Sequence, residues 1–136
     1  MGKAIRILLV DDDADDQIYF KDALEEVKGL VICEVANNGN EALRQIEIPP
    51  PPDLIFLDLN MPIMNGYECL EVLKNESRFK HIPVVIFTTS KNTKDIERSK
   101  KMGASLYFTK PSDFKTLCSK LGQIIQLDFP HHQFVI

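Results

Sequence analysis

A three-layer α/β domain built on a parallel sheet is the fold class this sequence predicts, and three observations carry it. Five short apolar runs alternate along 136 residues with segments whose apolar residues recur at helical spacing. Such alternation implies a parallel sheet with right-handed crossovers and helices on both faces. The runs are also nearly continuous in their apolar character, as strands covered on both faces must be. Finally, polar residues stand directly after the runs: Asp11 and Asp12 after Ile7 to Val10, Asp58 after Leu54 to Leu57, Thr88 after Val84 to Phe87, and Lys110 after Leu106 to Thr109. In parallel strands all five side chains gather at one sheet edge, where open α/β sheets bind their ligands.

Each element has its own signal. Ile5 to Val10 is rich in β-branched residues and reads as the first strand. The period then changes, with Phe20, Ala23, Leu24 and Val27 forming one stripe of a helix that stops near Gly29. Val31, Cys33 and Val35 alternate with Ile32, Glu34 and Ala36, the pattern of a half-exposed edge strand. Asn37-Asn38-Gly39 is a turn, followed by a helix over Asn40 to Glu47 with Ala42, Leu43 and Ile46 on one face. Pro49 to Pro52 predict a stiff extended connector. Leu54 to Leu59 is the most apolar run and is expected at the centre of the sheet.

Asn65-Gly66 then turns into a helix bearing Tyr67, Leu70 and Leu73, and Pro83 opens the strand Val84 to Thr88. Thr93 is the expected cap of a fourth helix ending at Gly103. Only Ile96 and Met102 are plainly apolar in that helix, so weak anchorage and mobility are expected of it. Leu106 to Thr109 makes the last strand. Phe114, Leu117, Cys118, Leu121, Ile124 and Ile125 make the cleanest amphipathic stripe.

Composition narrows the function. With 44% hydrophobic content the chain has the size and core of one domain without disulfides. The net charge of −4, with acids clustered from Asp11 to Asp16, argues against nucleic acid as a partner. Cys33, Cys69 and Cys118 show no paired spacing and no adjacent histidine, and read as buried small hydrophobes in a reducing compartment. No run is long enough to span a bilayer and no signal region opens the chain, so no membrane association and a cytoplasmic location are expected.

At the sheet edge, three carboxylates repel each other at neutral pH and suit a small hard cation such as Mg²⁺. A lysine and a hydroxyl beside that cation make a socket for a phosphoryl group. These residues fall in motifs: Leu9-Val10-Asp11-Asp12, Leu57-Asp58-Leu59-Asn60-Met61-Pro62 with Gly66 following, Phe87-Thr88-Thr89, and Gly103-Ala104 leading to Tyr107-Phe108-Thr109-Lys110-Pro111. Together and in this order they resemble the response-regulator receiver domain of bacterial two-component signalling, over Ile5 to about Ile125.

The resemblance implies a flavodoxin-like, chemotaxis-regulator type of fold, a doubly wound five-stranded parallel sheet of order 2-1-3-4-5 with five helices. It implies that Asp58 accepts a phosphoryl group from a histidine kinase or phosphotransfer protein. Mg²⁺ is then held by Asp11, Asp12, Asp58 and the backbone carbonyl of Asn60. Lys110 and Thr88 contact phosphoryl oxygens, and Thr88 with Tyr107 forms the switch; output is then either altered docking to a downstream protein effector or a phosphorelay that passes the phosphoryl group onward. A cis Lys110–Pro111 bond that aims the lysine is part of the same expectation. Thr89 departs from the small residue usual there and is expected to narrow the route to Asp58.

Simpler readings apply elsewhere. Asp13, Asp15 and Asp16 read as charges and caps at a helix start rather than as site residues. His81 reads as solvated, and His131-His132 is a weak metal signal. Two other functions fit less well: a Mg²⁺-dependent phosphohydrolase resembling haloacid dehalogenases, and an adaptor that works without phosphorylation. The first needs a general acid two residues after the nucleophile, where Asn60 cannot protonate a leaving group. The second predicts an eroded pocket, yet every motif position is filled.

Domain limits of 1–126 for the receiver and 127–136 for an apolar extension are expected. The extension follows the fifth helix with no output domain, so the chain reads as a stand-alone regulator that is not an enzyme. Phe129, Phe134, Val135 and Ile136 in it need burial. A homodimer through the fourth- and fifth-helix face and this tail is expected, the alternative being a tail folded on its own domain.

Overall fold

The computed structural model describes residues 4–136. Five parallel strands, β1 (Ile5–Val10), β2 (Val31–Ala36), β3 (Leu54–Leu57), β4 (Val84–Thr88) and β5 (Leu106–Thr109), form one sheet of order β2-β1-β3-β4-β5. Between and after them run α1 (Ala14–Glu25), α2 (Gly39–Ile46), α3 (Gly66–Asn75), α4 (Thr93–Lys101) and α5 (Phe114–Ile125). The predicted fold class and strand order are those observed.

Strand alternation divides the core into two layers. Leu8, Val10, Ile55, Leu57, Val84 and Ile86 face α2, α3 and α4, where they meet Ala42, Ile46, Cys69, Leu70 and Leu73. Ile7, Leu9, Phe56, Val85, Phe87 and Phe108 face α1 and α5, against Phe20, Leu24, Leu117, Leu121 and Ile124. In that second layer Phe20, Phe56 and Phe87 stack edge-on or tilted with centroids 5.0–6.1 Å apart. Such offset geometry suits the ring quadrupoles. Because β1, β3 and β4 are covered on both faces, their sequences carry no polar alternation. Edge strand β2 does alternate, as expected, with Ile32 and Glu34 exposed.

Several boundaries differ from expectation. Helix α1 ends at Glu25 rather than near Gly29, because Val27 lies beyond the helix and still packs on the core. Strand β3 stops at Leu57, since Leu59 is buried in the loop rather than in the sheet. Asn92, not Thr93, caps α4 by accepting from the Lys94 N–H; both residue types cap well, and asparagine reaches first. The proline run bends at residues 48–50 and includes a cis Pro49–Pro50 bond, so it is not a uniformly extended rod. Lys110–Pro111 is trans, the described cis bonds being Pro49–Pro50 and Phe129–Pro130. The lysine reaches its partners from a trans bond, the isomer favoured at X–Pro by about 0.5–1 kcal/mol. Of the cysteines, only Cys69 is fully buried; Cys33 and Cys118 lie on half-covered faces, and all three are free.

The apolar tail returns to its own domain. The Tyr107 N–H donates to the Phe134 carbonyl at 2.7 Å, and the Ile136 N–H donates to the Tyr107 carbonyl at 3.0 Å. Residues 134–136 thus pair with the outer edge of β5 in a short parallel bridge at Val135. Phe134 packs on one core layer and Phe129 and Ile136 on the other, while Val135 remains 51% exposed. The outer edge of β5 thus supplies much of the surface expected from a second copy.

Candidate functional site

The site lies where the strand order reverses, at the carboxyl ends of β1 and β3. Each strand hands its last backbone bond to its neighbour: the Asp11 N–H donates to the Ala36 carbonyl and the Asp58 N–H to the Val10 carbonyl, both at 3.0 Å. These bonds bring Asp11 and Asp58 to the same edge. Carboxylate oxygens of Asp11, Asp12 and Asp58 all lie within 4.8 Å of one another. Asp11 and Asp58 are buried and Asp12 is exposed, so the cluster opens to solvent on one side.

Local backbone closes around these acids. Asp11 Oδ1 accepts from the Asp13 N–H at 3.0 Å, and Asp58 Oδ1 accepts from the Asn60 N–H at 3.3 Å. Gln17 of α1 donates to the Asp11 carbonyl at 2.6 Å and to Asn37 at 2.8 Å, bracing the β1 end against the loop after β2. Gly66 is fixed by its surroundings. A Cβ there would lie 2.2 Å from the Asp58 carbonyl oxygen and 2.6 Å from the Leu59 Cα, so only glycine lets α3 begin against the Asp58 backbone. Asn65 then caps α3 in a capping box with Glu68.

Lys110 arrives from β5. Its N–H donates to the Thr88 carbonyl at 2.7 Å, and its Nζ lies 2.8 Å from Asp11 Oδ2, 2.8 Å from Asp16 Oδ2 and 3.3 Å from Asp58 Oδ2. The Phe87 ring lies 5.4 Å beneath the same ammonium. Despite burial, which opposes its charge, the carboxylates of Asp11 and Asp16 beside it hold the lysine well above its ordinary value. For Asp11 the balance is reversed. Its burial raises the carboxyl above the ordinary value, against the pull of Lys110. Three acids surround this one ammonium and Asp12 lies beside two of them, so carboxylates outnumber the lysine.

Asp16, expected to serve only as a helix charge, belongs to the site through its contact with Lys110. It sits in the first turn of the helix that follows Asp11-Asp12, and that placement was the available signal. Asp13 has the capping role expected, accepting from the Asp16 N–H at 3.0 Å. Thr88 is fully buried at the end of β4, where its Oγ1 accepts from the Ser90 N–H at 3.4 Å. Tyr107 is also fully buried, and its hydroxyl donates to the Ser90 carbonyl at 2.9 Å. Asn60 meets the cluster through its N–H. Thr89 is exposed.

The donor set suits a hard divalent cation. It is all oxygen, and Asp11 Oδ2 is buried without hydrogen-bond geometry to any partner although Lys110 stands 2.8 Å away. A cation would satisfy that oxygen and offset the repulsion among the acids.

The family model of the response regulator receiver domain matches residues 7–122. The chain belongs to the response regulator receiver family. Protein PilH of Pseudomonas aeruginosa is 33% identical over 121 residues, which cover 88% of this chain and 97% of that one. A solved structure of the Mn(2+)-bound form of response regulator Rcp1 superimposes with a TM-score of 0.82 at 30% identity, over 93% of this chain and 99% of that one. A protein-glutamate methylesterase/protein-glutamine glutaminase of Desulfotalea psychrophila is 35% identical over 131 residues, but the chain spans only 35% of its length. That relative's enzymatic name describes a longer protein. This chain serves phosphoacceptor signalling in two-component systems. Among the described residues, no helix is long and apolar enough to cross a membrane.

Proposed function

We propose that Asp58 is the phosphoacceptor, serving a histidine kinase or phosphotransfer protein, and that the modified chain docks to a downstream protein effector. The observation that carries this reading is Lys110 Nζ, held 3.3 Å from Asp58 Oδ2 within a cluster of acids. An Asp58 oxygen attacks phosphorus, a P–O bond forms as the P–N bond to the donor imidazole breaks, and the imidazole nitrogen keeps the electron pair and takes a proton. Lys110 supplies a fixed positive charge to a phosphoryl oxygen, and the Thr88 hydroxyl supplies a donor to another.

Asp11, Asp12, Asp58 and the Asn60 carbonyl are the residues that would hold Mg²⁺. Bound there, the cation neutralises charge between the anionic nucleophile and the anionic donor. Thr88 and Tyr107 form the switch, since both bond Ser90. We place the receiver at residues 1–126 with 127–136 as its extension, because α5 ends at Ile125 and the tail packs back on β5. A cytoplasmic setting agrees with three free cysteines. Docking of partners, a second copy included, is assigned to the α4 and α5 face.

Incubation with a small acyl-phosphate donor and Mg²⁺, followed by intact mass measurement, tests the assignment. One phosphoryl group is expected on the native chain and none on Asp58→Asn. Full labelling of that variant would overturn it.

A further inference from the structure

A carboxylate outside the acid cluster ties three elements together. Asp95, in the first turn of α4, accepts from the Ser90 hydroxyl at 2.6 Å on Oδ2 and from the Tyr67 hydroxyl of α3 on Oδ1. Bonds to an ionised acceptor are stronger than neutral ones. They hold the Asp95 carboxyl below its ordinary range, Ser90 more than Tyr67. Arg98, one turn further on, lays its guanidinium 3.8 Å from the centre of the Tyr67 ring. Helix α4 has little else to hold it. Its one buried residue is Ser99, whose hydroxyl bonds back to Asp95 and Ile96 carbonyls within the helix, and Ile96 and Met102 are half-buried.

Ser90 is the junction of this network. Its N–H reaches the Thr88 hydroxyl, its carbonyl receives the Tyr107 hydroxyl, its Oγ accepts from the Asn92 N–H at 3.2 Å, and its own hydroxyl proton goes to Asp95. One loop residue therefore touches the hydroxyl at the end of β4, the aromatic ring of β5 and the cap of α4. If Thr88 turns toward a phosphoryl oxygen, the Ser90 N–H loses its acceptor. With its hydroxyl fixed to Asp95, Ser90 cannot follow without moving α4 and, through Tyr67, α3.

We propose that Asp95 is a positioning residue of the phosphoryl switch: by fixing Ser90 it sets where the Thr88 hydroxyl and the Tyr107 ring sit, and through Tyr67 it carries the change at Thr88 into α3. The transmission to α3 rests on Asp58 as phosphoacceptor. The placement of Tyr107 does not.

The test uses the full chain labelled with fluorotyrosine, whose three resonances from Tyr19, Tyr67 and Tyr107 are assigned with single Tyr→Phe variants, together with amide hydrogen exchange. In Asp95→Ala the Tyr107 resonance is expected to move, and exchange over Thr93–Lys101 to quicken about tenfold, the scale of losing a bond to a charged acceptor. With acyl phosphate and Mg²⁺, native protein should change exchange over Gly66–Asn75. Asp95→Ala should lose that α3 response while still taking up one phosphoryl group by mass. A stationary Tyr107 resonance in Asp95→Ala, or an α3 response that survives, overturns the proposal. Where the native chain takes up no phosphoryl group, the Asp58 assignment fails by itself and the Tyr107 resonance still decides the role of Asp95. Should Asp95→Ala fail to fold, Tyr67→Phe removes one hydroxyl and keeps the ring under Arg98; it is expected to abolish the α3 response, and a persisting response refutes the coupling.

Discussion

Lys110 Nζ stands 3.3 Å from Asp58 Oδ2 although the residues are 52 positions apart and follow strands separated by β4. The contact is made by the side chain alone. The lysine backbone is pinned to the Thr88 carbonyl at 2.7 Å, and the rest of its reach crosses the end of β4 over the Phe87 ring. The same ammonium also meets Asp11 and Asp16, so it compensates charge before it meets any phosphoryl group.

Lys110→Ala should therefore have two separable effects. Loss of a preorganised charge at the developing phosphoryl oxygens should slow phosphoryl uptake by about 10²–10³-fold, the scale seen when one stabilising donor is removed. It also leaves buried carboxylates without their cation, so stability in chelator at pH 7 should fall by about 3 kcal/mol. Single-turnover labelling and denaturant unfolding check the two effects. An uptake rate equal to that of the native chain would remove Lys110 from the chemistry.

The Asp11 carboxyl gives a pH signature. Burial raises its folded-state value above the ordinary 3.8, so its charged form costs stability in the fold. As pH falls through the raised value, the folded state binds a proton before the unfolded chain does, and Asp11's contribution to stability rises. The gain is complete once pH drops below the unfolded value. Asp11→Asn should flatten this rise. In chelator at pH 7 it should raise Tm by about 4 °C, the shift that about 1 kcal/mol produces at this size, and Mg²⁺ should add little further stability. Melting curves from pH 4 to pH 7, with chelator and with Mg²⁺, measure both. A variant less stable than the native chain at pH 7 would mean that the lost pairing with Lys110 outweighs the relief of burial.

Much of this was legible in the sequence because parallel strands turn linear position into spatial position. Four motifs at four strand ends had to converge, and Asp11, Asp12, Asp58, Thr88 and Lys110 do lie at one sheet edge. What escaped were contacts made by side chains that local pattern already explained. Asp16 reads as a first-turn charge until Lys110 reaches it, and Tyr67, Ser90 and Asp95 sit on three elements with no shared spacing. The tail's apolar residues signalled burial but not its location. No local pattern identifies the open edge of β5 as their partner, because pairing there runs through backbone groups rather than a side-chain code. The trans Lys110–Pro111 bond shows the limit of resemblance, since a lysine side chain can be aimed in more than one way.

Gly66→Ala tests the close approach of α3 to the acceptor. The new methyl group meets the Asp58 carbonyl and the Leu59 backbone, neither of which can rotate away. Relief requires α3 to withdraw or Asp58 to move. The substitution is expected to cost about 1–3 kcal/mol, in line with overpacking elsewhere, and to slow labelling at Asp58 even where the protein remains folded. Denaturant unfolding and the rate of acyl-phosphate labelling are the measurements. Unchanged values of both would show that the loop gives way freely.

Deleting residues 134–136 tests the tail. It removes the two backbone bonds that bracket Tyr107 and the Phe134 ring, which lies 6.2 Å from the Tyr107 ring. Net hydrogen bonds of about 1 kcal/mol each, together with the lost apolar burial, put the expected destabilisation at about 2–4 kcal/mol. The deletion also uncovers the β5 edge, whose unpaired backbone groups are a template for a neighbouring chain. Self-association measured by sedimentation should consequently increase on deletion. If the full chain is instead a dimer that the deletion dissociates, the tail works in trans and its seat on β5 is exchanged between copies.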